Sequence, residues 1–320
     1  MSNSTIPPDS IPNECSLEYD PYWEGMIYLG TLFYFAVGFF LHVTILRTVL
    51  VTEKKYFENN SFFKITVMDS IASIIIILNE LFFFKLFTYI TPFCLTVGPF
   101  FWKPSVILNF IYISLNHARF SKSVTQIFMV LNRMSCVLLP TRYEEIWRIM
   151  TPASCILILI LPCGGMWNVW ISRIFLQPLR GGFSIGYLKT VKWAALSLFQ
   201  SIYILSALFF TIICSSVTFF KLIFLPDRIK SAEKSLCFTS IFISVTFLMV
   251  AATQLSFAFC TTCDIDLLYL LQSLAFDVFT VGPAVIIVMT SKQIRGSLIC
   301  MRKTRKVSII VSVSGRLNTL

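Results

Sequence analysis

An arginine near the end of a long apolar run is the first residue in this chain whose type and place suggest chemistry. Residues Gln126 to Trp147 read QIFMVLNRMSCVLLPTRYEEIW. The run is apolar from Ile127 to Leu131, is broken by Asn132 and Arg133, and is apolar again through Leu139. Pro140 and the charges Arg142, Glu144, Glu145 and Arg148 then close it. An arginine at the centre of a lipid-spanning helix costs roughly 2.5 to 3.5 kcal/mol on insertion scales, so it must lie near an end or be held for use. Arg133 lies near the end that the later charges mark. It is then either an anchor that snorkels to headgroup phosphate or a switch, buried in one state and released to a partner in another.

Other polar side chains also interrupt apolar runs: Asp69, Asn79, Glu80, Lys85, His117, Arg119, Lys122, Gln200, Gln254, Gln272 and Asp277. Lipid cannot solvate such groups, so they face a bundle interior, where they pair or line a cavity. Glu80, Lys85, His117, Arg119, Lys122, Gln254 and Gln272 are the ligand-pocket candidates, with Phe82, Phe83, Phe84 and Phe257 as walls. Interhelical hydrogen bonding by the same residues is the competing reading. Glu80 and Lys85, five apart, are poorly placed to meet on one α-helical face. The pocket suits a small, largely apolar molecule with one or two polar groups, anionic if Lys85, Arg119 and Lys122 receive it. Asp69, Asp277 and Pro283 are switch candidates, and Gly282-Pro283 is expected to bend its helix, because proline removes a backbone donor and clashes with the preceding turn.

Catalysis finds no support. There are two histidines and no His cluster, no Ser-His-Asp set, and the CTTC of Cys260 to Cys263 lacks a second pair. No metal, no cofactor and no enzyme activity are expected.

These side chains require membrane helices to position them. At 320 residues, with 56% hydrophobic residues, 13% charged residues and 32 Phe, the chain is too apolar for ordinary soluble domains. The net charge of +10 sits in loops rather than on a polar domain with interleaved aromatics, which argues against nucleic acid as a partner. Spans near the 20 residues needed to cross about 30 Å recur at about 25–46, 65–90, 113–139, 152–172, 193–220, 236–260 and 267–290. The expected fold is an all-α membrane protein, a seven-transmembrane helix bundle over residues 25–290. The upper boundary of the third span is open, since Val106 to Leu115 is also apolar.

Loop charge sets the orientation. The segments 47–64, 140–150, 221–235 and 292–320 carry 17 Lys and Arg, and the opposite loops with the N-terminal tail carry 5. That asymmetry predicts N-terminus out and C-terminus in. Residues 1–24 then form an extracellular tail whose Asn3-Ser4-Thr5 is a glycosylation sequon. No signal peptide is expected before the first span, which lacks a basic leader. Residues 291–320 form a basic cytoplasmic tail suited to anionic membrane lipids, with Cys300 a palmitoylation candidate. Cys15 with Cys94, and Cys260 with Cys263, are both admissible disulfides on the outer side.

Rhodopsin-like receptors end their third transmembrane helix in Asp-Arg-Tyr, then five residues, then proline. Here Asn132, Arg133 and Met134 precede Pro140 by the same spacing. The longer string, NRMSCVLLP followed by Tyr143, Glu144, Glu145 and Trp147, resembles the nematode serpentine chemoreceptors of class gamma, and the resemblance covers most of the chain. It implies a receptor in the plasma membrane of sensory neurons that couples an external small molecule to a heterotrimeric G protein, with Asn132, Arg133, Met134 and Pro140 at the coupling surface. Asn132 stands where rhodopsin-like receptors carry an acid, so it offers hydrogen bonds and no charge. Their usual disulfide to the second outer loop cannot form, since residues 173–192 contain no Cys. The alternative is a multi-pass transporter or channel, against which stands the lack of an internal repeat and of matched Gly/Pro-broken spans.

Overall fold

The structure is a computed structural model and describes residues 10–12, 15, 18–223, 227–259 and 265–298. The sequon at Asn3, the Cys260–Cys263 pair, Cys300, the side chain of Phe257 and the last part of the basic tail lie outside the described residues. Helix α1 (Pro21–Arg47) starts at an Asp20 N-cap whose carboxylate accepts from Tyr22 N at 2.9 Å, with Pro21 in the first turn. It runs through a π turn (Thr48–Thr52) to the one-turn α2 (Lys54–Phe57). The second span joins α3 (Ser61–Asn79), a π segment (Glu80–Lys85) and α4 (Leu86–Tyr89).

A short α5 (Pro92–Val97) and a 3-10 turn (Gly98–Phe101) lead at a 108° bend into α6 (Val106–Leu138). Then follow α7 (Tyr143–Ile171), strands β1 (Arg173–Leu179) and β2 (Gly182–Leu188), α8 (Leu196–Ile223), α9 (Asp227–Phe259) and α10 (Ile265–Thr290). Among the described residues, six helices are long and apolar enough to cross a membrane, and the bent pair containing α6 makes up to seven.

The structure closes one boundary that the sequence left open and adds a hairpin that it did not show. Val106 to Leu115 belongs to α6, which at 33 residues is about 50 Å long. The helix begins at a Ser105 cap whose side chain accepts from Leu108 N. The loop 173–192 forms an antiparallel hairpin that pairs Arg173 with Leu188 and Leu179 with Gly182. Its alternating Ile174, Leu176, Phe183 and Ile185 are buried, which is the period-two pattern of a half-buried strand.

Helix α6 packs against α3, α7, α8 and α9. Its many polar side chains lie inside the bundle, which is why it is less apolar than its neighbours. Exposed Phe33, Phe40, Ile160, Phe209 and Phe219 form part of the outer surface. Lipid is as apolar as these side chains, so the bundle is held by close packing and interhelical hydrogen bonds. One close approach is at Gly38 of α1, where a Cβ would meet Val281 Cγ2 of α10 at 2.6 Å.

The two ends are built differently. Under the hairpin, Phe87, Leu108, Ile111, Phe120 and Met166 pack with the strand residues. Cys15 and Cys94 are joined by a disulfide at this end, and Arg180 in the hairpin turn (φ 53°) donates to both carboxylate oxygens of buried Glu24 at 3.1 and 3.4 Å. At the other end, the Arg133 end, Phe57, Phe62, Met129, Trp147, Phe247 and Ile287 form a second core.

Candidate functional site

Three stripes of side chains meet along the bundle axis. On α6, Arg119, Lys122, Gln126 and Arg133 are spaced by three, four and seven residues, which places them on one helix face. On the second span, Asp69, Ser73 and Glu80 repeat by four and seven. On α10, Ser273, Phe276, Asp277 and Thr280 repeat by three, one and three. Facing stripes of this kind let charges leave lipid and find partners on neighbouring helices.

In the half nearest the hairpin, Arg119 forms an ion pair with Glu80, and its guanidinium lies 5.0 Å over the ring of Phe276. Lys85 lies 3.5 Å from Asp277 Oδ2 and donates to Ser273 Oγ. These four charges tie the second span to α6 and to α10. The sequence reading expected Glu80 and Lys85 to diverge around an α-helix. Both are buried, because they sit at the two ends of a π segment whose bonds run from i to i+5.

One step deeper, Lys122 Nζ donates to Asp69 Oδ1 and to Ser73 Oγ, both at 2.7 Å, and lies 4.8 Å over Phe279. His42 of α1 joins this level, with Nε2 donating to the Thr280 carbonyl at 2.9 Å. At the far end, the Arg133 guanidinium stacks 3.8 Å over Phe62. Asn132 is fully buried and exchanges hydrogen bonds with the Tyr143 hydroxyl at 2.9 and 3.2 Å, and Trp147 Nε1 donates to Ser135 Oγ at 2.6 Å. The helix ends at Leu138, two residues before Pro140, which is exposed, and Met134 is half-buried.

The predicted pocket residues are therefore only partly brought together. Glu80, Lys85 and Arg119 converge with Asp277. Gln272 donates to Gln254 Oε1 at 2.7 Å, and Gln254 donates to Ser201 Oγ at 2.8 Å, which links α10, α9 and α8. Lys122 belongs to the deeper pair with Asp69. His117 is placed elsewhere: it bonds the Leu159 carbonyl of α7 at 3.0 Å, since residue 117 lies two positions off the charged stripe. Phe82 is exposed on the outer surface, whereas Phe83 and Phe84 pack beneath the hairpin. Between Asn116, Arg119, Ser123, Gln200 and Phe276 lies a gap too narrow for a water molecule. Among the described residues no His, Cys, Asp and Glu cluster could hold a metal ion.

Sequence reasoning missed Phe62, Ser73, Ser273, Phe276 and Phe279. Ser73 and Ser273 lie four residues from Asp69 and Asp277, a helical spacing that could have found them, while nothing in the sequence marked Phe62, Phe276 and Phe279 as the rings beneath Arg133, Arg119 and Lys122.

A bundle of up to seven apolar helices, with buried paired charges along its centre, defines a multi-pass membrane protein of the serpentine kind. The chain belongs to the Srg family of chemoreceptors, whose family profile matches residues 28–298. It is 49% identical over 309 residues to serpentine receptor class gamma-17 of Caenorhabditis elegans, covering 97% of this chain and 96% of that protein. It is 52% identical to serpentine receptor class gamma-15 over 301 residues, 93% of each chain, and 39% identical to serpentine receptor class gamma-5 over 317 residues, 98% of each. Both relatives are also from Caenorhabditis elegans.

Proposed function

We propose that this chemoreceptor couples binding of an extracellular small molecule to a heterotrimeric G protein at the plasma membrane of sensory neurons. The observation that carries the reading is the quartet of buried Glu80, Lys85 and Asp277 with half-buried Arg119, set near the hairpin and joined through α6 to Arg133 at the other end. All three intramembrane cations of the predicted pocket have carboxylate partners. An anionic ligand would therefore exchange with Glu80 or Asp277 rather than meet a free charge. Such an exchange loosens a tie between helices, and that is how a small contact can bias a bundle with two packing states.

The tail and hairpin side faces outward in this reading, with the C-terminus inside. The basic-residue asymmetry supports that orientation. So does the Cys15–Cys94 disulfide, because such bonds persist on the oxidising side of a membrane. Asn132, Arg133, Met134 and Pro140 then lie where a G protein would dock, and Asp69, Asp277 and Pro283 lie where α3 and α10 would shift. Helix α10 runs through Pro283 without interruption.

The test is Arg133→Ala in cells that report G-protein activation. The expected result is normal surface expression with the ligand-driven response lost. A normal response from a well-expressed variant would leave Arg133 as a membrane anchor and refute the coupling role.

A further inference from the structure

A ligand-sized cleft lies away from the charged quartet, at the Arg133 end between α2, α3, α9 and α10. Its volume is about 350 Å³, within the roughly 300 to 1,000 Å³ typical of small-molecule sites. Phe57, Phe62, Phe63 and Ile287 form apolar walls, with Asn60 and Lys292 also lining it. The Phe57 and Phe63 rings are 4.4 Å apart and those of Phe62 and Phe63 are 5.5 Å apart, so the walls are a connected aromatic cluster.

Two features specify the occupant. Helix α10 ends at Thr290 and α3 begins at Ser61, so the cleft sits where the spans give way to polar segments, at headgroup level. The flanking segments Arg47–Lys64 and Ser291–Leu298 hold six basic residues and two acidic ones. Lys292 is the basic residue that lines the cleft, and a cation over an apolar recess at that depth, in a basic stretch of chain, matches an anionic lipid. We propose that this cleft binds one anionic phospholipid, with an acyl chain against the phenylalanines and the headgroup at Lys292. The lipid then touches Phe62, the ring that carries the Arg133 guanidinium 3.8 Å above it. Occupancy holds α3 to α10 and keeps Phe62 under Arg133. The proposal does not depend on the ligand or G-protein reading.

The experiment is native mass spectrometry of the full-length receptor released from detergent with equal amounts of phosphatidylserine and phosphatidylcholine. One phosphatidylserine per receptor should be retained under activation that strips phosphatidylcholine. Asn60→Trp fills the cleft, and the Asn60 side chain makes no capping hydrogen bond that the change would break. Lys292→Gln removes the charge at an exposed position. Each should lower retention at least fivefold while the melting temperature without added lipid stays unchanged. Should Asn60→Trp fail to fold, Lys292→Gln decides alone. Equal retention of the two lipids by the unmodified receptor, or full retention of phosphatidylserine by Lys292→Gln, would overturn the proposal.

Discussion

Lys122 and Asp69 form a closed ion pair in the centre of the bundle, with Nζ 2.7 Å from Oδ1 and only 1% and 3% of the two side chains exposed. Ser73 Oγ accepts a second hydrogen bond from the ammonium, and the Phe279 ring faces the cation. Breaking a buried pair from one side strands a charge and costs about 3 to 5 kcal/mol, whereas replacing both partners with matched neutral groups is often neutral.

Lys122→Met is therefore expected to destabilise the receptor by about 3 to 5 kcal/mol, and Asp69→Asn/Lys122→Met to recover most of the loss. Thermal unfolding of the purified protein in nanodiscs checks this. A double variant no more stable than the single one would show that the pair does more than neutralise charge.

The upper quartet predicts a different outcome. Once a ligand is known, neutralising Lys85 or Arg119 should raise its half-maximal concentration about tenfold for at least one of them, equivalent to about 1.4 kcal/mol. His117→Ala, on the far side of α6, should leave potency unchanged and serves as the control. Unchanged potency in Lys85→Met and Arg119→Met, at matched surface expression, would move recognition elsewhere in the bundle.

Orientation can be read directly. A tag before residue 1 should be labelled on intact cells, and a tag after Leu320 only after permeabilisation. Both tags on one side would exclude an odd number of spans.

Packing between the first and last helices gives a fourth expectation. A Cβ at Gly38 would press on Val281 Cγ2, so Gly38→Ala should cost about 1 to 3 kcal/mol as an overpacked contact. Val281→Ala in the same protein should restore much of it. Additive losses in unfolding measurements would indicate that the two helices do not meet there.

Much of the bundle was legible in the sequence because the bilayer leaves few options: an apolar run of about 20 residues must be a helix, and a polar group within it must face inward. The burial of Asp69, Glu80, Lys85, Lys122 and Asp277 follows from that rule. Partners did not follow, since helix-to-helix register is a tertiary property: Lys85 meets Asp277, 192 positions away in the chain. The hairpin escaped notice because residues 173–188 sit between two long spans. Its alternation of Ile174 and Leu176 was nonetheless readable, and so was the Arg180-Gly181 turn. The inward turn of both Glu80 and Lys85 was hidden for another reason. It depends on a π segment, which the spacing rules of the α-helix do not anticipate.

The bond between Cys15 and Cys94 is separated by 79 residues of chain, which contain α1 and the whole second span. The first two spans thus form a covalent circuit. A protease that nicks the exposed segment around Lys54 and Lys55 would leave two polypeptides still joined on a non-reducing gel. Separate expression of the pieces on either side of that nick would give fragments able to find each other through the same cysteines, a route to a split receptor whose halves are locked together by oxidation.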